Sequence, residues 1–333
     1  MSKIKPSKGA PYARIMGVGG YRPVRVVPNE VILETIDSSD EWIRSRSGIA
    51  TRHWASPEET VAAMSVEAAG KAIADAGITP EQIGAVIVST VSHFKQTPAI
   101  ATEIADRIGA GRPAAFDISA ACAGFVYGLT LAKGMIVEGS AEHVLVIGVE
   151  RLSDLTDLED RATAFLFGDG AGAVVVGPAQ EPRIGPTVWG SEGDKSDTIK
   201  QTVPWDDFHA GSQEKFPAIT QEGQAVFRWA VFEMAKVAQQ ALDAAGITPQ
   251  ELDVFIPHQA NMRIIDSMVK TLKLPDSVTV ARDVETTGNT SAASIPLAME
   301  RILATGQAKS GDTALVIGFG AGLVYAATVV TLP

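Results

Sequence analysis

The amino-acid sequence predicts an α/β protein built from two similar halves. Residues 68–88 read AAGKAIADAGITPEQIGAVIV, and residues 237–257, which lie 169 positions later, read VAQQALDAAGITPQELDVFIP. Each segment is typical of an alanine-rich helix that stops at a glycine and leads, through an Ile-Thr-Pro turn, into a buried strand. A second pair, LVIG at 145–148 and again at 315–318, is separated by 170 positions. Alternating helices and strands that recur at a nearly constant spacing indicate a duplicated α/β unit.

The duplication predicts halves at residues 1–180 and 181–333. Chance recurrence is the alternative, since Ala-Gly-Ile-Thr-Pro is a plausible helix exit in any protein, but chance would not keep the spacing. At an offset of 169, Cys122 lies opposite Ser291, and a helical pattern follows each of them. We therefore expect the two helices to occupy equivalent places in the two halves.

The helical pattern after Cys122, residues 123–138, is apolar on nearly every face. A helix of this kind belongs in the centre of a protein rather than on its surface. The apolar run at 114–118 predicts a strand just before it. Cys122 is therefore expected at the junction between a strand and a buried central helix.

The composition is that of an ordinary globular protein, with 46% apolar and 20% charged residues in a length of 333. The net charge of −11 argues against nucleic acid as a general partner. Since Cys122 is the single cysteine, neither an intramolecular disulfide nor a cysteine-cluster zinc site is expected. No stretch is expected to approach the roughly 18–20 apolar residues of a membrane span, and the N-terminus does not resemble a signal peptide. We expect a cytoplasmic protein.

Cys122 is the first candidate for chemistry. A cysteine at the start of a helix lies among unpaired N–H groups at the positive end of the helix dipole, and both favour the nucleophilic thiolate. The small neighbours Ala121, Ala123 and Gly124 leave room for a substrate carbonyl beside the sulfur. The alternative is a buried structural cysteine, which is the commoner role of a lone cysteine.

His258 is the second candidate. It follows the apolar run 254–257, and ligands usually bind at this end of the strands in an α/β sheet. None of the other four histidines has a comparable position at a strand end. A capping or core histidine is the alternative.

Asn289 is the third candidate, because it precedes the helical pattern of the second half. It can cap that helix, which is the commoner role of asparagine, or it can point its amide N–H₂ at a substrate oxygen. The repeat places Asn289 close to the pseudo-twofold counterpart of Cys122. Cys122, His258 and Asn289 are therefore expected to converge where the halves meet.

Three glycine-rich segments do not fit a nucleotide-binding loop. GVGG at 17–20 lacks the last glycine of the dinucleotide fingerprint, because position 22 is Arg22. GDGAG at 168–172 and GFGAG at 318–322 lead into strand-like runs, whereas a phosphate-binding loop leads into a helix. We expect tight turns that allow close backbone approach and offer an N–H group to an oxyanion.

Taken together, these motifs resemble those of the β-ketoacyl-acyl-carrier-protein synthase III family in the thiolase superfamily. The resemblance extends in order over nearly the whole chain. The segments that carry it are DSSDEWIRSRSGI at 37–49, DISAACAGF at 117–125, FGDGAGAVVVG at 167–177, PHQANMRI at 257–264, GNTSAAS at 288–294 and GFGAGL at 318–323.

The resemblance implies a thiolase-like five-layered α/β/α/β/α fold of two halves related by a pseudo-twofold axis, and a homodimer. It implies a triad of Cys122, His258 and Asn289, with the Gly320 backbone as an oxyanion donor, and it implies neither a metal nor a cofactor. Thiolases need a second catalytic cysteine, which this chain lacks. The elongating ketoacyl synthases have a second histidine where this chain has Asn289.

The implied reaction is a decarboxylative Claisen condensation that initiates type II fatty-acid synthesis. An acyl-CoA primer acylates Cys122, malonyl-acyl-carrier protein loses CO₂, and the resulting enolate attacks the acyl group to give a 3-oxoacyl-carrier protein. The alternative is a thiolase-fold acyltransferase that moves the acyl group from Cys122 to a hydroxyl or amine without decarboxylation.

The resemblance also implies residues that bind the substrates. Thr97 and Phe319 are expected at the acyl pocket, where the small side chain of Thr97 would admit branched or longer primers. Packing is the alternative role for Trp42, and an ion pair with Asp160 or Asp157 is the alternative for Arg161. The residues expected to bind CoA, its pantetheine arm or the carrier protein are Trp42, Arg46, Arg161, Gly223, Phe227, Gln259, Arg263 and Lys270.

A basic stripe is predicted on the helix after PHQAN. The carrier protein is acidic and so is this chain, so docking requires a local patch of positive charge. Arg263, Lys270 and Lys273 recur at seven and three residues and fall on one helix face. A solvated helix face is the alternative.

Overall fold

The first half of the chain folds into a five-stranded mixed sheet flanked by helices; the computed structural model describes residues 4–333. The elements are β1 (Tyr12–Tyr21), β2 (Arg25–Pro28), α1 (Asn29–Ile32), α2 (Asp40–Ser47), β3 (Thr51–Trp54), α3 (Val61–Asp75), β4 (Ile83–Ser89), α4 (Ile100–Arg107), β5 (Ala114–Ile118), α5 (Gly124–Glu138), β6 (His143–Arg151) and β7 (Asp169–Ala179). The strand order is β1-β7-β6-β4-β5. Strands β5, β4 and β6 are parallel, and β7 and β1 are antiparallel to their neighbours.

The second half repeats this arrangement. The elements are β8 (Val188–Gly190), β9 (Ile199–Gln201), α6 (Trp205–His209), β10 (Ile219–Gln221), α7 (Gly223–Ala245), β11 (Val254–Pro257), α8 (Met262–Leu272), β12 (Thr279–Val280), α9 (Val284–Thr287), α10 (Ser294–Ala304), β13 (Thr313–Gly320) and β14 (Val324–Thr331). The strand order is β12-β11-β13-β14-β8, with the same sequence of parallel and antiparallel pairs as in the first sheet. Shorter pairs form outside the two sheets, β2 with β3 and β9 with β10.

The helices and sheets stack in five layers. Helices α5 and α10 lie between the two sheets and share one core with their inner faces. Helices α3 and α4 cover the outer face of the first sheet, and α7 and α8 cover that of the second. Alternate residues of a strand point to opposite layers, so Val146 of β6 packs in the central core and Ile147 packs against the outer helices. The five-layered order predicted above is therefore confirmed.

The repeated helix-turn-strand segment is also confirmed. Each copy has a capping box at its turn, in which Thr79 and Thr248 begin short 3₁₀ turns that lead into β4 and β11. The predicted counterpart of Cys122 is wrong by one residue. The 3₁₀ turns before the central helices span Ala121–Ala123 and Ser291–Ala293, an offset of 170, so Ala292 rather than Ser291 lies opposite Cys122.

The two halves contact each other closely through their glycines. A Cβ atom on Gly318 would lie 2.8 Å from the carbonyl oxygen of Cys122, and one on Gly148 would collide with the carbonyl of Ala292. Strand β13 therefore lies against the 3₁₀ turn of the first half, and strand β6 lies against the 3₁₀ turn of the second half. All strands of the first sheet precede residue 180 and all those of the second follow it. We propose on this basis that the halves are residues 1–180 and 181–333.

Two expectations about local structure are corrected. Gly170 and Gly172 lie within strand β7 rather than in a tight turn, although Gly172 does allow close approach of Pro296. Ala121–Glu138 is long and apolar enough, by length and composition alone, to span a membrane, contrary to the expectation that no segment would be. Helix α5 packs between the sheets, as the core helix of a globular protein does, through Phe125, Val126, Leu129, Ala132 and Ile136.

Candidate active site

One cavity of about 530 Å³ brings together the residues expected to do chemistry. Cys122, His258, Asn289, Phe319 and Gly320 all line it, although they belong to separate elements of both halves. The predicted convergence at the junction of the halves is therefore present in the fold. No cluster of metal-ligating side chains occurs among residues 4–333.

Cys122 lies in the 3₁₀ turn between strand β5 and helix α5. The preceding Ala121 has a φ of 43°, a left-handed conformation that is costly for an L-residue and typical of functional turns. Burial of the sulfur raises the pKa of the Cys122 thiol to about 12. Desolvation therefore opposes the thiolate that the start of the helix was expected to favour.

His258 directly follows strand β11, and its ring is held from several sides. Its backbone N–H donates to the Ile317 carbonyl at 2.7 Å. Its Nδ1 lies 2.7 Å from the Ser294 hydroxyl, and its ring contacts the Phe319 ring edge-on at 5.3 Å. Burial lowers the pKa of His258 to about 3, so the imidazole is neutral at physiological pH.

The Asn289 side chain makes a hydrogen bond through its oxygen and leaves its amide nitrogen without a partner among the described residues. Its Oδ1 accepts a hydrogen bond from the Ser291 N–H at 2.8 Å and so stabilises the turn before α10. Its backbone N–H donates to the Leu166 carbonyl at 2.9 Å, which fixes the residue against the first half. Across residues 4–333 its Nδ2 donates to no protein group, so the amide N–H₂ is available to a substrate oxygen.

Gly320 ends strand β13 directly against the nucleophile. A Cβ atom at this position would lie 2.9 Å from the Cys122 backbone nitrogen and 3.1 Å from its sulfur. Only a glycine allows this approach, which brings the Gly320 backbone directly against Cys122.

Comparison with known proteins is consistent with this geometry. Two family models match the chain, 3-oxoacyl-acyl-carrier-protein synthase III over residues 116–193 and its C-terminal model over residues 242–332. The β-ketoacyl-acyl-carrier-protein synthase III of Streptomyces glaucescens is 86% identical over 333 residues, which cover 100% of both chains. The mycobacterial enzyme of that name from Mycobacterium marinum is 53% identical and covers 100% of this chain and 99% of its own.

Solved structures agree with the sequence relatives. The 3-oxoacyl-acyl-carrier-protein synthase III of Aquifex aeolicus superposes with a TM-score of 0.88 at 38% identity, over 96% of this chain and 99% of its own. A priming β-ketosynthase of a polyketide biosynthetic pathway superposes with a TM-score of 0.97 at 44% identity, over 100% of this chain and 99% of its own.

The chain belongs to the β-ketoacyl-acyl-carrier-protein synthase III family. It is therefore a thiolase-like acyltransferase, a condensing enzyme that initiates fatty-acid synthesis.

Trp42 lies beside two arginines that are expected to bind the same substrate. The Arg161 guanidinium lies 4.8 Å from the centre of the Trp42 ring, and that of Arg46 lies 5.8 Å from it. Phe165 packs edge-on against the same ring at 5.4 Å. Among the described residues Arg161 makes no ion pair, so the alternative of a salt bridge to Asp157 or Asp160 is not observed.

A second group of expected ligands surrounds the start of helix α8. The Arg263 guanidinium lies 4.7 Å from the centre of the Phe227 ring. Phe227 is in the first two turns of α7, the helix that begins at Gly223. The Asn261 side chain donates to the Arg46 carbonyl at 3.0 Å and so joins this group to the one around Trp42.

Gln259 does not have the free side chain that a CoA ligand would need. It is 1% exposed, its Nε2 donates to the carbonyls of Pro257 and Ala281, and its Oε1 accepts from the Val284 N–H. All of these bonds are to backbone, so Gln259 holds β11 to the segment that leads to α9. Its role here is structural support.

The cavity also includes residues that sequence reasoning missed. Its apolar wall is formed largely by Leu152, Leu155, Val226, Trp205 and Trp229. These residues lie outside the quoted motifs, and their patterns alone are those of ordinary core positions. Thr97 is exposed and does not line the cavity within its own chain.

Proposed function

We propose that this synthase III condenses an acyl-CoA primer with malonyl-acyl-carrier protein through an acyl-Cys122 intermediate. In the first half reaction the Cys122 sulfur attacks the thioester carbon, and the carbonyl oxygen becomes an oxyanion held by the N–H groups of Cys122 and Gly320. The C–S bond to CoA then breaks. The thiol proton leaves with the CoA sulfur, so CoA departs as a thiol.

In the second half reaction malonyl-carrier protein binds with its thioester carbonyl near His258 and Asn289. A neutral imidazole and an amide can both donate hydrogen bonds to that oxygen. Loss of CO₂ places negative charge on it, so two preorganised donors lower the barrier to decarboxylation. The enolate carbon then attacks the acyl carbon on Cys122, the bond to sulfur breaks, and a 3-oxoacyl-carrier protein is released. The Cys122 thiolate that leaves takes a proton from solvent and becomes the thiol again.

The observation that carries this proposal is the convergence of Cys122, Gly320, His258 and Asn289 on one cavity. The test is the intact mass of malonyl-carrier protein after incubation with the enzyme and isobutyryl-CoA. We expect a shift to the 3-oxoacyl species that Cys122→Ala abolishes. An acylated enzyme beside an unchanged carrier would instead support acyl transfer to a hydroxyl or amine without decarboxylation.

The groups around Trp42 and Arg263 are proposed to bind the CoA and carrier-protein substrates. The adenine of CoA would lie beside Trp42 and Arg161, and the pantetheine arm would pass Arg46, Gly223 and Phe227. Support comes from the hydrogen bond of Asn261, which joins the two groups.

The acidic carrier protein is proposed to dock on helix α8. Arg263 and Lys270 are both exposed on this helix. The one acid on the exposed face between them, Asp266, is paired with Arg282 at 2.8 Å. The face therefore keeps the net positive charge that docking of an acidic partner requires.

A homodimer is proposed to complete the acyl pocket. Strand β5 pairs only with β4 in the described chain and leaves one edge of the first sheet open. Thr97 lies in the segment that connects β4 to α4, and it is exposed. Its side chain can therefore reach the acyl pocket of a partner subunit, beside Phe319. The reaction is proposed to occur in the cytoplasm.

A further inference from the structure

The Ser294 hydroxyl contacts Nδ1 of the His258 ring, and Nε2 is the nitrogen that remains to donate to a substrate. Ser294 is 1% exposed and His258 is 2% exposed, and the Oγ–Nδ1 distance is 2.7 Å. We propose that Ser294 is a positioning residue that keeps the proton of neutral His258 on Nε2. This inference rests on the proposed role of His258 as a hydrogen-bond donor in decarboxylation.

The partners of the Ser294 hydroxyl show which atom donates in its hydrogen bond with Nδ1 of His258. The Ser294 oxygen already accepts the backbone N–H of Gln259 at 3.4 Å. Over residues 4–333 the only other partner of this hydroxyl is Nδ1 of His258. The hydroxyl hydrogen therefore points at Nδ1, which must be the unprotonated nitrogen of a neutral ring.

The opposite tautomer would leave a buried donor without an acceptor. If Nδ1 carried the proton, it would donate to the Ser294 oxygen, and the hydroxyl hydrogen would have no partner. An unsatisfied polar group in a buried site is strongly disfavoured. The low pKa of His258, which follows from burial, keeps the doubly protonated ring from competing.

The other contacts of His258 fix its place but not its proton. Its backbone bond to Ile317 and the edge-on contact with Phe319 are the same for either tautomer. Ser294 is the first residue of α10, and its hydroxyl is the contact that distinguishes the two ring nitrogens. With Nε2 protonated, His258 can donate to the enolate oxygen and cannot accept the thiol proton of Cys122 at that atom.

Ser294→Ala tests the inference by separating the two half reactions. We expect the single-turnover reaction of pre-acylated enzyme with malonyl-carrier protein to slow about tenfold or more. The reason is that a fraction of the His258 rings would then carry the proton on Nδ1 and could not donate from Nε2. Acylation of Cys122 by isobutyryl-CoA should change less than twofold. Ser294→Thr, which keeps the hydroxyl, should recover most of the rate. Ser65→Ala is the matched control, because Ser65 is another fully buried helix serine whose hydroxyl binds a backbone carbonyl.

The tautomer can also be observed directly by ¹⁵N NMR of histidine-labelled protein, with His258→Ala used for assignment. The wild type should show a proton on Nε2, and Ser294→Ala should show a mixture. An unchanged tautomer, or equal slowing of both half reactions, would overturn the inference. Retention of decarboxylation in His258→Ala would instead overturn the proposed function of that histidine.

Discussion

Cys122 shows how two local effects compete at a single residue. The start of α5 favours a thiolate, whereas desolvation raises the pKa of the thiol to about 12. The charge of buried Glu150 raises the same pKa further. The raised pKa therefore favours the protonated thiol over the thiolate in the free enzyme.

Alkylation kinetics test the state of this thiol. We expect the rate of Cys122 modification by iodoacetamide to rise about tenfold per pH unit from pH 7 to pH 10, because the thiolate fraction does. Intact mass spectrometry measures it, with Cys122→Ala as the blank. A rate that levels off below pH 8 would contradict the protonated ground state.

Glu150 is a buried acid that the sequence analysis did not identify. Its Oε2 accepts from the Ser92 hydroxyl at 2.6 Å and from the Val91 N–H at 3.1 Å, whereas its Oε1 has no hydrogen-bond partner. Burial raises the pKa of this carboxyl from 4.5 to about 7. The folded state therefore binds a proton more tightly than the unfolded state does.

Replacement of this acid should change the pH dependence of stability. A raised folded-state pKa stabilises the fold below pH 4.5, and this contribution is lost as pH rises through about 7. Relative to wild type, Glu150→Gln should gain about 3 kcal/mol in the free energy of unfolding between pH 4.5 and pH 8. Urea unfolding at both pH values measures the gain. An equal difference from wild type at both would contradict the raised pKa.

At the scale of elements, the sequence predicted the helices and strands better than their contacts. The repeat correctly identified β4 and β11 as equivalent strands of the two halves, and it correctly predicted that Cys122 precedes a central helix. It misplaced the counterpart of Cys122, because the offset grows from 169 to 170 along the chain and the pattern does not show where the extra residue falls.

The supporting contacts of the site could not have been predicted, because they join distant parts of the chain. His258 and Ser294 are 36 residues apart, and Arg46 and Asn261 are 215 apart. Only the fold brings such pairs together. Motif composition and spacing predict which residue types come to the site. They do not predict which buried polar atoms form hydrogen bonds with one another.

The packing of helix α5 can be tested through one of its glycines. A Cβ atom on Gly124 would collide with the side chain of buried Ser89, whereas Gly70 of α3 has open space at that position. Gly124→Ala should therefore lower the free energy of unfolding by about 1–3 kcal/mol. Gly70→Ala should raise it by about 0.5–1 kcal/mol. Similar effects of the two variants in urea titrations would show that α5 is less tightly packed than described.

Helix α8 gives a second prediction at this scale. Arg263→Ala should raise KM for malonyl-carrier protein about tenfold, equivalent to about 1.4 kcal/mol, and leave acylation by small acyl thioesters nearly intact. Lys236→Ala is the control, because Lys236 is exposed on α7 and already paired with Glu233. Steady-state kinetics with both substrates separate the steps. Equal losses in both would argue against docking at this helix.

At the scale of the whole molecule, the open edge of β5 predicts association. We expect sedimentation to give about twice the chain mass of 34.9 kDa, and hydrogen exchange at the β5 amides to accelerate when the protein is diluted. A 34.9 kDa species at micromolar concentration, with β5 amides that exchange equally fast at all concentrations, would contradict the dimer.

The position of strand β14 has a consequence for how the protein is made. It is the last strand of the chain, yet it lies between β13 and β8 inside the second sheet. A ribosome therefore finishes the segment with Cys122 long before it supplies Gly320 and the strand that supports it. Since domains fold from the N-terminal side during synthesis, the nascent chain carries the proposed nucleophile before it has the proposed oxyanion donor. We expect a chain whose synthesis has not reached Gly320 to load acyl groups poorly and so to consume little primer.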